Sequence, residues 1–291
     1  MKRYTSLNAA IKDIYGEDRK IKERRTVFGG DINEAWALTL DRGETLFMKT
    51  NVPSFLENFV AEEEGLAAIR ETRTIQVPRV LALGTDRSFS FLLMEYLPPA
   101  GQRKDYWERF AEELAAMHQS PVEESFGFSG DNWIGAGKQI NRPRDSWIEF
   151  FRDCRLQPQI TEAETYLDST DRRKAEYILS HLDKYLIEPA RPSLIPGDLW
   201  SGNLITGPDG KGWLIDPAVY RGHPEADLAM TELFGGFSSR FYKTYRQISC
   251  LEPGYDDRRD LYNLYHLLNH LNLFGRGYLG SVRRILTRYA D

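Results

Sequence analysis

The sequence predicts an α+β chain: a small N-terminal antiparallel β-sheet lobe with one key helix, then a larger, mainly helical C-terminal lobe. Three observations predict it. Short apolar runs separated by glycine-containing turns fill residues 21–51 and continue to residue 97. A breaker, Pro98-Pro99-Ala100-Gly101, follows them and sets the expected division at 1–97 and 98–291. Beyond it, apolar residues recur mostly at helical spacing.

The elements follow in order. Leu7, Ala10, Ile11 and Ile14 have the spacing of an amphipathic helix. Thr26-Val27-Phe28, the run Ala35 to Leu40 and Leu46 to Lys49 read as three short antiparallel strands. The first two are joined by a turn carrying Gly29 and Gly30. Ser54 can cap a helix through Arg70, with Phe55, Phe59, Leu66 and Ile69 on one side. Val77–Leu81 and Phe89–Met94 are two further strands. After the breaker, 106–118, 147–156, 171–186 and 257–274 read as helices. Residues 195–220 interrupt them with two short apolar pieces, read as a β-hairpin.

Composition narrows the function classes. The net charge of −5 and pI near 5.7 argue against a nucleic-acid surface, which needs clustered Lys and Arg. Two cysteines give neither a disulfide framework nor a thiol metal site. Met1 to Asn8 lacks the apolar run of a signal peptide, and no stretch is apolar enough for a membrane span. The expectation is a cytoplasmic protein. Oligomeric state is not legible.

The chemistry concentrates in Asp198-Leu199-Trp200-Ser201-Gly202-Asn203, followed by Asp216 in Leu-Ile-Asp-Pro. The spacing Asp-Leu-x-x-x-Asn matches the catalytic loop of protein kinases. Phosphoryl transfer needs one carboxylate to orient the attacking hydroxyl, here Asp198. It also needs hard oxygen donors for Mg²⁺ on the ATP phosphates, here Asn203 and Asp216. Alone, Asp-x-x-x-x-Asn is common in turns. Other parts occur in the required order, however. Gly29 and Gly30 let backbone amides approach phosphates, although an ordinary hairpin turn has the same sequence. Lys49 ends an apolar strand and can reach the α- and β-phosphates. Glu62, on the helical face of Leu66 and Ile69, is a partner for it, with Glu63 and Glu64 as competitors. The backbone of Glu95 and Leu97, just before Pro98, is placed by position to meet adenine. Trp200 suits stacking on a sugar, with core packing the equal alternative. Asp227 can brace the loop or simply begin a helix. His266 and His270 lie four apart but lack the metalloprotease glutamate, so they read as packing or surface residues.

These segments together resemble the fructosamine kinase (ketosamine-3-kinase) family. The resemblance rests on Gly29 to Ala35, Phe47 to Asn51, Glu62 to Leu66 and the Asp198–Asn203 loop. It also takes in Asp131 to Gly135, Trp147 with Phe150-Phe151, Arg155 to Gln159 and Leu261 to Asn272, and so spans about residues 26–280. It implies an aminoglycoside-phosphotransferase-like fold and ATP- and Mg²⁺-dependent phosphorylation of the 3-hydroxyl of ketosamines, on small or protein-bound amines. It further implies Asp198 as base, Asn203 and Asp216 as metal ligands, Lys49 and Glu62 as the phosphate-positioning pair, and Trp200 facing the sugar. Two departures stand out. Pro196 replaces the family's usual histidine, and Asp31 stands where some relatives carry a cysteine. Two other readings fit the residues: a kinase of another hydroxylated amine or an aminoglycoside, and a non-catalytic nucleotide-binding protein.

Overall fold

The computed structural model describes residues 1–27, 32–249 and 251–290, and these divide into two compact units. The first comprises Met1–Phe110 and Gly202–Pro217, and the second holds the remainder.

In the first unit, β1 (Arg3–Tyr4) leads to α1 (Leu7–Tyr15), capped by the Ser6 hydroxyl and ended by Gly16 at φ +72°. Then come β2 (Ile21–Thr26), β3 (Glu34–Leu40), β4 (Thr45–Asn51), α2 (Leu56–Thr72), β5 (Val80–Asp86) and β6 (Phe89–Glu95). The sheet order is β1-β5-β6-β4-β3-β2, antiparallel except for the β1–β5 pair. Alternation along β4 sends Leu46 and Met48 into a core with Leu7, Ala10 and Ile11 of α1. Lys49 therefore points to the opposite face.

Local expectations shift in several places. β2 is an edge strand whose charged run Lys22-Glu23-Arg24-Arg25 is exposed, which hid it from an apolar count. α2 opens through a 3₁₀ turn, Pro53–Phe55, and no side chain caps it, so Ser54 is not its cap. The strand expected at Val77–Leu81 starts at Val80, just past Pro78.

Downstream, α3 (Tyr106–His118) is followed by β7 (Asn132–Ile134) and β8 (Gly137–Gln139), a small hairpin. Next, α4 (Trp147–Phe151) runs through a π-helical turn, Arg152–Leu156, into α5 (Gln157–Glu162). α6 (Ser169–Ser180) opens on an Asp168–Asp171 capping box and stops at His181, short of the expected 186. The motif segment supplies β9 (Ser193–Ile195), β10 (Leu204–Thr206), β11 (Gly212–Leu214) and β12 (Tyr220–Gly222), paired β9–β12 and β10–β11. The single expected hairpin is thus two strand pairs. The chain ends with α7 (Pro224–Leu233), α8 (Ser239–Ile248), α9 (Tyr255–Phe274) and α10 (Leu279–Ala290).

The compact units are drawn differently from a cut at 97/98. The first takes back the β10–β11 hairpin because Leu214 N–H donates to Gln76 O and Lys49 binds Asp216. Burial of Trp147, Phe150, Phe151, Ile178, Tyr262, Leu264, Leu268 and Leu286 builds the core of the second. Among the described residues, no helix is long and apolar enough to cross a membrane.

Candidate active site

In the first unit, the Lys49 ammonium is buried and donates to Glu62 Oε1 at 2.6 Å and to an oxygen of Asp216. Burial opposes its charge, but the two carboxylates outweigh that and hold the ammonium well above an ordinary lysine. Burial pushes the Glu62 carboxyl up, against the pull of Lys49. Glu62 is thus the helix partner; Glu64 on the same helix is exposed. Asp216 keeps 38% of its side chain exposed and so can take another partner. Its backbone sits at φ +52°, in the left-handed region that costs a non-glycine residue strain. Ile215 N–H donates to Asn203 O at 3.0 Å, which ties the two expected metal ligands together through the backbone.

The other nucleotide-side expectations divide. Gly29 and Gly30 lie outside the described residues. Leu97 is half-buried just past β6. The Glu95 N–H already donates to Arg79 O at 3.0 Å, so adenine can take nothing from that group. This corrects part of the Glu95 expectation, and the cause is local: Arg79 also donates its N–H to Glu95 Oε1.

In the second unit, Asp198 follows a turn that only glycine fits. Gly197 has φ +77°, and a Cβ there would stand 2.1 Å from Ala218 O. The Gly197 N–H donates to Asp227 Oδ1 at 3.0 Å, and Asp227 Oδ2 meets His118 Nε2 at 3.2 Å. His118 Nδ1 meets the Tyr245 hydroxyl at 2.7 Å. With Asp227 ionised and the His118 ring neutral, His118 donates through Nε2 and accepts from Tyr245 through Nδ1. Burial raises the Asp227 carboxyl, and His118 and Gly197 pull it back. Asp227 therefore braces the loop as well as lying in the first turn of α7. Pro196, without an N–H, still uses its carbonyl, which accepts from Ala218 N at 2.8 Å. Trp200 is 36% exposed, edge-on to Phe234 at 6.1 Å. His266 is buried, and burial lowers its imidazole to about 3. The His270 ring bonds the His266 carbonyl through Nδ1 at 2.8 Å.

Sequence reasoning missed His118 and Tyr245. Both end or line helices with no spacing signal, and only the packing of α3 and α8 beside α7 brings them to Asp227.

A strand lysine bonded to a helix glutamate and a second aspartate, with the Asp198–Asn203 loop, defines a phosphotransferase of the protein-kinase-like α+β class. Within that class, the family model described as fructosamine kinase matches residues 3–291. The chain belongs to the fructosamine kinase family. It is 41% identical over 282 residues to a protein of Synechocystis named a probable ketoamine kinase, covering 95% of this chain and 93% of that protein. It is 38% identical to the chloroplastic protein-ribulosamine 3-kinase of Arabidopsis thaliana, over 94% of this chain and 84% of that one. A solved structure from Haemophilus somnus described as a fructosamine-3-kinase superposes with TM-score 0.89 at 30% identity, covering 98% and 97% of the two chains.

Proposed function

We propose that this chain is an ATP-dependent kinase that phosphorylates the 3-hydroxyl of ketosamines, fructosamine or ribulosamine adducts on small or protein-bound amines. The observation that carries the reading is the buried Lys49 ammonium bonded to both Glu62 and Asp216. In this reading Lys49 holds the α- and β-phosphates and Glu62 keeps it oriented. Asp198 orients the acceptor hydroxyl and receives its proton late, as a loose transition state allows. The Leu97 backbone and the Glu95 carbonyl meet adenine, and Gly29 and Gly30 cover the phosphates. Trp200 presents its ring to the sugar.

The donor set fits a hard divalent cation: a partly exposed Asp216 carboxylate and the Asn203 amide oxygen, tied through Ile215. Mg²⁺ held there would neutralise charge on the nucleotide phosphates. Lys49 has to share Asp216 with such an ion, and exposure of that carboxylate makes the exchange possible. The 3-phosphate destabilises the ketosamine and releases the amine, a repair of glycation. No membrane or nucleic-acid partner enters this scheme, and it places the protein in the cytoplasm.

The experiment is turnover with Mg-ATP on ketoamines, aminoglycosides and amino alcohols side by side. Ketoamine turnover supports the reading. Turnover confined to the other acceptors overturns the substrate, and nucleotide binding without any turnover overturns catalysis.

A further inference from the structure

Arg155 is fully buried in the π-helical turn and has no carboxylate partner among the described residues. A buried guanidinium without an anion is costly, and π-turns recur at functional sites. Here the charge is held otherwise. Its guanidinium lies 3.8 Å from the Tyr220 ring centroid and 4.6 Å from that of Phe150. It donates to Cys154 O at 2.8 Å and to Asn141 Oδ1 at 2.7 Å.

Asn141 opens a chain of three buried carboxamides. Asn141 Nδ2 donates to Asn132 Oδ1 at 2.8 Å. Gln139 Nε2 donates to the same Asn132 oxygen at 2.7 Å and to Ala218 O at 2.9 Å. Asn132 Nδ2 donates to Val219 O at 2.7 Å, and Tyr265 OH donates to Gln139 Oε1 at 2.8 Å. Asn132 and Gln139 face each other across the β7–β8 pair. The far end of the chain is Ala218, whose N–H holds Pro196 O two residues before Asp198. Burial raises the Tyr265 phenol, the Arg155 guanidinium opposes that rise, and Tyr220 and then Asp198 add to it.

A carboxamide can face either way, but an arginine only donates. Asn141 must therefore turn its oxygen to Arg155 and its amide N–H to Asn132. Backbone carbonyls, which only accept, impose the same sense along the chain: Gly130 O on Asn141, Val219 O on Asn132 and Ala218 O on Gln139. Arg155 adds a rigid donor that holds the Asn141 oxygen at the start of that chain. We propose that Arg155 is a positioning residue: it anchors the start of the Asn141–Asn132–Gln139 chain and thereby steadies Ala218 and the Pro196–Asp198 loop. This role rests on Asp198 being the base in the proposed function.

The test compares wild type with Arg155→Met, Arg155→Lys and Asn141→Asp. Asn141→Asp keeps a partner for Arg155 but removes the donor to Asn132 and to Gly130 O, so it breaks the link between Arg155 and the chain without burying an unpaired charge. All three should lower kcat, by about 10- to 100-fold for Arg155→Met and Asn141→Asp, while KM for Mg-ATP stays within about twofold. Arg155→Lys should fall between. Calorimetric ADP-binding stoichiometry equal to wild type shows that the chains are folded. A 5-fluorotryptophan resonance of Trp200, assigned with Trp200→Phe, should move in Arg155→Met and Asn141→Asp alike. Wild-type kcat and an unmoved Trp200 resonance in Asn141→Asp overturn the inference, whatever Arg155→Met does. Absence of ketosamine turnover in wild type sinks the functional reading instead, and the Trp200 resonance then still decides the role of Arg155.

Discussion

Around Lys49 the first unit gathers one ammonium and two carboxylates, whereas around Gly197 the second unit uses backbone amides, carboxamides, an imidazole and a phenol. The bonding differs in consequence. Ionic partners act at a range of angles, and Asp216 stays partly exposed, so that set can trade one partner for another. The loop supports are buried and directional, and each donor has one acceptor that fits. In the proposed function, the residues that meet phosphates and a metal have the first kind of support, and the proposed base has the second.

The largest effects test both regions at their chemical centres. Asp198→Ala should lower kcat by about 10²–10⁴-fold with little change in the melting temperature, as removal of a positioned acid–base group does. Asp216→Ala should be comparably inactive, and near-normal turnover in either variant would sink the site assignment. Gly197→Ala comes next and sharpens the directional half of the comparison. Its Cβ would fall on Ala218 O, so expression or thermal stability should drop, whereas Gly101→Ala, with open space around it, should be neutral.

Lys49→Met breaks the ionic half. It leaves Glu62 buried without its donor, at a cost of about 1–3 kcal/mol in denaturant unfolding, and Lys49→Met/Glu62→Gln should recover most of it. No recovery would mean that the pair is not the source of the loss. A smaller change is expected from Trp200→Ala, a roughly 2- to 12-fold rise in ketosamine KM at unchanged KM for ATP.

The remaining effect is a pH slope. His223 and His266 are held near 3 in the folded chain, by burial first and then by neighbouring charges, against 6.5 unfolded. Between those values the unfolded chain binds more protons at these sites, so stability falls as pH drops below about 6.5. Glu62, raised by burial, works in the opposite sense as pH falls. The clean readout is a difference. His266→Gln should flatten the dependence of unfolding free energy on pH by about 1.4 kcal/mol per unit between roughly pH 4 and 6. An identical slope in variant and wild type would refute the buried neutral imidazole.

The sequence by itself determined the α+β class, Lys49 as a strand lysine and the Asp198–Asn203–Asp216 spacing, and it narrowed the lysine's partner to Glu62 with Glu63 and Glu64 as competitors, among which the Lys49–Glu62 bond decides. Each is a local pattern: alternation of two along β4, helical spacing from Glu62 to Leu66 and Ile69, and fixed offsets along one loop. It read edge strand β2 poorly because charge covers an edge, and it placed the division of the chain by a local breaker. Only tertiary structure returned the β10–β11 hairpin to the first unit, since that depends on a bond to Gln76 more than 120 residues away. Only tertiary structure, too, brought His118 of α3 and Tyr245 of α8 to Asp227, and aligned Arg155 with Asn141, Asn132 and Gln139. Those residues carry no periodic signal. A hydrogen-bond network is defined by who meets whom in space, and that is decided by packing after the local elements have formed.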